Sequence, residues 1–456
     1  MSDGLHAGAA VSNVTPWLGL AIPGYFQERY GNDVHDELLA KALVFDNGDT
    51  RVAMVTCDFI CMPEKLASAV KSRVQERCGI PPDHTMVNAT HTHTGVAVMG
   101  TRGVEEETEY TDYAALKIAD AVELAVRRLR PARVGFALVQ EGRIAFCRRW
   151  RMKDGTVRMN PGIDNPDLVA PVSPIDPDLA IMYVEGTDGA PISAVANFSL
   201  HYVGASPAET LSADYYGHFH RLMRHYIGGD CVPVLWNAAS GQINNIDYSG
   251  RTRWKYRGHA QAARMANVLA GHVITEIQLM DMHESLELGG AADTFEFLRK
   301  PVTEDDLALA NKVLAATEEP IEDYDSGPFS WVVGHPIPKE RVYAYAEECL
   351  RLNALPERMT APVQALKLGD AAVVGLPGEI FVEIAMNVKA QASADPVFVQ
   401  SLANGHLGYV ATDKAFKEEG GYETWASMSA YAGPGTAPAM EATAVSLLSD
   451  LGLAST

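Results

Sequence analysis

The chain lacks a long apolar run, a cysteine framework and an excess of positive charge, and each absence removes a class of protein. No apolar stretch in its 456 residues approaches the roughly 20 needed to span a bilayer. The opening Met1-Ser2-Asp3-Gly4-Leu5-His6 has no basic segment leading into an apolar one, so no secretory leader is expected. The 6 cysteines (Cys57, Cys61, Cys78, Cys147, Cys231, Cys349) are scattered without CxxC spacing, which predicts reduced thiols rather than a disulfide framework. Lys and Arg number 37 against 58 Asp and Glu, a net charge of −21. Nucleic acids and anionic membranes select basic faces, so neither is an expected partner, and the acidity itself serves solubility. Repeats and low-complexity tracts are also missing. The expectation is a soluble, cytoplasmic protein with no stable membrane association, acting on a small molecule. Homo-oligomers are common enough among such proteins to be expected here too.

What the chain does have is core-forming material. Hydrophobic residues make up 47% and charged residues 21%, ordinary for a globular protein. The length suits one large α/β domain spanning 1–456, with a possible subdivision near 285–300. Arg51 to Ile60 reads as a buried strand, and Leu66, Val70 and Val74 mark a helix over Glu64 to Arg77 that Gly79 ends. Thr85 to Thr90 reads as a strand and Thr111 to Arg130 as a helix stopped by Pro131. Arg143 to Pro177 reads as a long loop. Leu179 to Glu185, Ile192 to Ser199 and Val232 to Trp236 are further strands, with a helix over Tyr215 to Tyr226. Thr303 and Asp306 suggest a capped helix start, and Val363 to Leu368 with Ala371 to Leu376 a hairpin turning at Gly369-Asp370. This is an α/β pattern of mixed β-sheets flanked by helices.

The run Ala89-Thr90-His91-Thr92-His93-Thr94 closes one of these strands. Residues two apart in extended backbone face the same side, so both rings could line one cavity. Such a pair serves equally as a metal site or as polar residues satisfied locally. His201 at a strand end and Glu379 at a strand-to-helix junction each have bland roles too, the latter as a helix-dipole partner.

Taken in order, these segments resemble the zinc-hydrolase domain of the neutral ceramidase family over nearly the whole chain. The opening Ala7-Gly8-Ala9-Ala10 to Thr15-Pro16, then Pro23-Gly24-Tyr25 and His35-Asp36, is similar to the family's N-terminal pattern. Ala89 to Gly95 resembles its histidine motif. His201 with Ser212-Ala213-Asp214-Tyr215, Pro377-Gly378-Glu379, and Asn404 to Tyr409 with Tyr422-Glu423 resemble the segments that supply the remaining ligands. The resemblance implies zinc held by His91, His201, Glu379 and Tyr409. It places His93, Arg148 and Tyr409 in catalytic roles, and Arg149, Asn244 and Tyr422 near the substrate.

Two departures narrow the expected substrate. Where family ceramidases carry a Gly-Asp-x-Ser-Pro-type segment, this chain has Gly241-Gln242-Ile243-Asn244-Asn245. Asn244 stands at the serine position and Ser240 is out of register, which leaves an activated water as the attacking group. Asn244 is then a substrate hydrogen-bonder or a turn residue. The family's appended β-sandwich domain has no counterpart, as in shorter bacterial-type relatives. Arg148, Arg149, Arg151, Lys153 and Arg158 crowd one segment that could bind an anion or simply be solvated. The expected function is hydrolysis of an amide, ester or lactam in a small polar substrate, with a metal-dependent lyase or isomerase, a lipid amidase and a non-catalytic binding protein as rivals.

Overall fold

Apolar residues along each central strand alternate between two destinations. In Leu39–Asp46, Ala40, Ala42 and Val44 enter one hydrophobic cluster while Leu43 and Phe45 enter another. A strand buried on both faces reads as a near-continuous apolar run, which is why these segments stand out in the sequence. The computed structural model describes residues 4–25, 28–100, 104–203, 207, 209–252, 257–316 and 329–455.

An eight-stranded mixed sheet runs in the order Val232–Asn237, Pro191–Phe198, Asp178–Gly186, Arg130–Gln140, His6–Asn13, Leu39–Asp46, Arg51–Cys57, Thr85–Ala89. Its two edge strands, at opposite ends of that order, pair parallel with their neighbours. A four-stranded sheet (Leu288–Leu298, Arg358–Leu368, Ala371–Gly375, Val397–Gln400) stacks on one face, with Leu366, Leu368, Val373 and Phe398 meeting Phe45, Met54, Met182 and Trp236. The opposite face of the large sheet is covered by helices Glu64–Cys78, Thr108–Arg127, Asp214–Ile227 and His259–Glu276. Helices Val382–Gln391 and Thr436–Asp450 cover the outside of the small sheet. The result is four layers, helix, sheet, sheet, helix. Among the described residues no helix is long and apolar enough to cross a membrane.

The stretch from 143 to 177 is not a loop. It forms a three-stranded sheet from Arg149–Met152, Val157–Met159 and Leu168–Pro171, while Phe146–Cys147 pairs with Ile243–Asn244. Strands of two to four residues, several of them exposed on one face, leave too few positions for a period to register. The helix expected at Thr111 to Arg130 spans Thr108–Arg127, and Pro131 lies inside the next strand rather than stopping it. The hairpin turns at Gly369, and Thr303 and Asp306 form a reciprocal capping box. All six cysteines are free.

Helix and sheet approach closely at Gly8. A Cβ there would sit 2.2 Å from the Ala125 carbonyl oxygen of the Thr108–Arg127 helix. Gly8→Ala must therefore push backbone against backbone, and should destabilise the fold by about 1–3 kcal/mol. A shift of the denaturant midpoint to lower concentration checks this; an unchanged midpoint would show that the two layers yield at no cost.

Candidate metal centre

Four loops meet above the carboxyl ends of strands from both sheets. Thr85–Ala89 leads to His91, Pro191–Phe198 to His201, Ala371–Gly375 to Glu379, and Val397–Gln400 to Tyr409. Backbone bonds hold the sheets in register here: Asn404 N–H donates to the Val87 carbonyl at 2.8 Å and Ser401 N–H to the Asn237 carbonyl at 3.1 Å. Both edges of the large sheet are thus tied to one loop of the small one. Glu379 and Tyr409 face each other as paired residues in a short parallel ladder. Glu379 does not cap the following helix; Phe381 occupies that position.

The His91, His93 and His201 ligand nitrogens lie within 4.8 Å of one another, and all three residues are buried. The His91 backbone adopts φ 73°, so the run is not the simple extended pair the sequence suggested. Its Nδ1 lies 2.5 Å from the Ile60 carbonyl oxygen, an orientation that turns Nε2 toward the cluster. That Nε2 lies 3.3 Å from Glu379 Oε2. Neither atom completes a hydrogen bond, although both are buried. His93 Nε2 and His201 Nε2 stand 2.6 Å apart. Burial first, then the neighbouring His91, holds His93 and His201 well below the usual imidazole range, in the neutral form that ligates metals. Burial works to raise the Glu379 carboxyl, yet His91, His406 and a hydrogen bond from Tyr409 bring it to about 2. Buried polar groups without partners are costly, and a divalent cation would satisfy these. A set of imidazoles, a carboxylate and a phenol is chemically suited to such an ion.

Around this centre lies a cavity of about 310 Å³, lined by His91, His93, His201, Glu379, Tyr409, Arg148 and Tyr422 among others. Arg148 is 4% exposed. Its Nη1 is 3.2 Å from His201 Nδ1 and its Nε donates to Glu423 Oε1 at 3.0 Å. Burial opposes its charge, but Tyr409, Glu423 and Glu379 keep it cationic. Gly241 lets the neighbouring loop reach Glu379: a Cβ there would fall 2.6 Å from the Glu379 carbonyl.

Two residues expected at the substrate lie elsewhere. Arg149 is 1% exposed and points away from the cavity, donating to Glu419 Oε2 at 2.9 Å and to the Gly420 carbonyl at 2.6 Å. Asn244 closes a turn by accepting from Ile246 N–H at 3.0 Å, and donates to Tyr248 and to Asn160, which does line the cavity. The other basic residues of that segment are spent locally: Arg158 pairs with Asp154 at 2.6 Å, and Arg151 donates to the Gly155 carbonyl at 2.8 Å.

Asp214 was not anticipated as a site residue. Its Oδ2 accepts from Thr92 Oγ1 at 2.8 Å and from His93 N–H at 2.9 Å, and its Oδ1 from Thr94 Oγ1 at 3.3 Å. It sits at φ 50°, fully buried, and burial pushes its carboxyl up to about 7 against those bonds. The one hint in the sequence was its place in Ser212-Ala213-Asp214-Tyr215.

No family model matches the chain. The fold does match solved structures. A structure described as a ceramidase complexed with C2 aligns with TM-score 0.68 at 16% identity, over 99% of this chain and 76% of that one. The neutral ceramidase from Pseudomonas aeruginosa aligns with TM-score 0.69 at 17% identity, over 99% of this chain and 75% of that one. The chain therefore has the neutral ceramidase fold.

Removing the Asp214 clamp should loosen the histidine run without dismantling the sheets. If the cluster holds a divalent ion, Asp214→Ala should weaken its binding, probed with Zn²⁺, by about 10- to 100-fold, the usual effect of losing an outer-shell partner. Chelator competition measures it; unchanged affinity in a folded variant would reduce Asp214 to a local turn residue.

Proposed function

We propose that this protein is a zinc-dependent hydrolase that cleaves an amide bond, of the carbon–nitrogen type acted on by ceramidases, in a small polar substrate. The observation that carries this is the convergence of His91, His201, Glu379 and Tyr409 from four strand ends, with His91 Nε2 and Glu379 Oε2 buried and lacking hydrogen bonds. Those four residues would hold the ion. What the ion supplies when bound is an acidified water and polarisation of the scissile carbonyl.

The chain's own groups account for the rest. Arg148 is a buried cation at the cavity wall, fixed by Glu423, and would stabilise the carbonyl oxygen as it gains negative charge. His93, held by the Asp214 carboxylate through its backbone, presents its ring to the same space. The Tyr409 hydroxyl, bonded to Glu379, would pass a proton to the departing nitrogen. Bond cleavage with addition of one water yields a carboxylic acid and an amine. Tyr422, whose ring lies 5.4 Å from that of Tyr409, forms the wall on the substrate side. Arginine in the lining of this cavity supports a substrate with a polar group.

The test is turnover of an amide panel by the zinc-loaded protein, with product masses read directly. Hydrolysis adds one water, whereas a lyase or isomerase reaction on the same centre does not. His91→Ala and Glu379→Gln should each lower kcat/KM by about 100-fold or more, as losses of transition-state stabilisation do, and chelation should abolish turnover reversibly. Full activity in the metal-free protein would sink the proposal.

A further inference from the structure

The cavity at the candidate metal centre is rich in arginine. Its lining includes Arg148, Arg257 and Arg341, while Glu379 is the one carboxylate among the described lining residues. Glu379 faces His91 and belongs to the metal centre. Three arginines thus border one space in a chain whose net charge is −21. Arg148 is committed to Glu423 and lies 5.3 Å over the Tyr409 ring, beside the reacting centre.

Arg257 and Arg341 come from elsewhere. Arg257 is exposed and Arg341 half-buried. Arg257 precedes the His259–Glu276 helix, and its charge acts on the Tyr25 phenol, itself part of the lining. Arg341 ends the Lys339–Arg341 turn ahead of the Val342–Asn353 helix. It also lines an adjoining cavity of about 210 Å³, and the two spaces share Met159, Asn160, Arg341 and Tyr422 as walls. The arginines are therefore separated from the metal centre in the chain, yet they open on the space in which a substrate would sit. Planar guanidinium groups bind carboxylate and phosphate oxygens through paired hydrogen bonds.

We propose that Arg257 and Arg341 form an anion subsite, so that the substrate is an amide bearing a carboxylate, phosphate or sulfonate away from the scissile bond. This rests on the hydrolase reading above and adds the substrate's charge to it. The subsite positions substrate and takes no part in bond cleavage, so its loss falls on KM more than on kcat.

The experiment uses matched amides with the zinc-loaded protein: N-acylglycines, with the anion on the amine side, and N-alkylsuccinamates, with it on the acyl side. Each acid is compared with its neutral carboxamide, binding by calorimetry and turnover by mass spectrometry. At least one acid should bind about 10- to 100-fold more tightly than its carboxamide, the ratio a charged hydrogen bond confers. Arg257→Ala and Arg341→Ala should erase that preference at unchanged zinc content, and the Lys variants should keep part of it. Acid and carboxamide behaving alike in the unaltered protein, no measurable binding of any acid, or a preference that survives both replacements would overturn the subsite. Equal hydrolysis of the two forms leaves the hydrolase reading intact while removing this one. An arginine-dependent preference without cleavage does the reverse.

Discussion

The candidate metal centre turns on the buried approach of His91 Nε2 to Glu379 Oε2 at 3.3 Å. Isolated buried polar atoms cost free energy, so such a pair persists only where its surroundings fix it or a ligand completes it. Here the surroundings are elaborate. The Ile60 carbonyl orients one ring, Asp214 grips the run that carries the next, and Gly241 brings a third loop against the Glu379 backbone. The strands beneath belong to two stacked sheets, and both edges of the larger are bonded to the loop that follows Val397–Gln400. The scaffold is rigid where the donors are held, as a site of fixed geometry requires.

The second organising feature is charge placed against the trend of the molecule. An acidic chain sets Arg148 inside, neutralised by Glu423, and lets Arg257 and Arg341 face the same space. Glu423 is fully buried and holds Arg148 on one oxygen, with Arg149 3.4 Å from the other. The two arginines adjacent in sequence thus divide: Arg148 borders the histidine cluster and Arg149 anchors the loop at Glu419 and Gly420.

What was legible in the sequence follows from how each feature is encoded. Strands buried on both faces produce apolar runs, so many sheet elements could be read, and the order of His91, His201, Glu379 and Tyr409 carried the likeness to the ceramidases. Short strands such as Val157–Met159 hid inside a polar segment. Arg149 was misplaced because neighbours along extended backbone face opposite sides, so only one of two adjacent arginines could reach the cavity. Asp214, Glu423, Arg257 and Arg341 are single residues with no spacing that relates them to the centre; tertiary packing alone brings them there. Asp214 and Glu423 lie in segments that carry the resemblance, but nothing local to any of the four announces a role.

The central claim is that these buried donors hold a metal ion. Anomalous diffraction at the zinc edge, on crystals of the protein loaded with Zn²⁺, tests it most directly. Zinc held by these donors should give one strong peak within about 2.0–2.2 Å of ligand atoms from His91, His201 and Glu379. A zinc-saturated crystal with no peak at this cluster, or with its peak elsewhere, would contradict it.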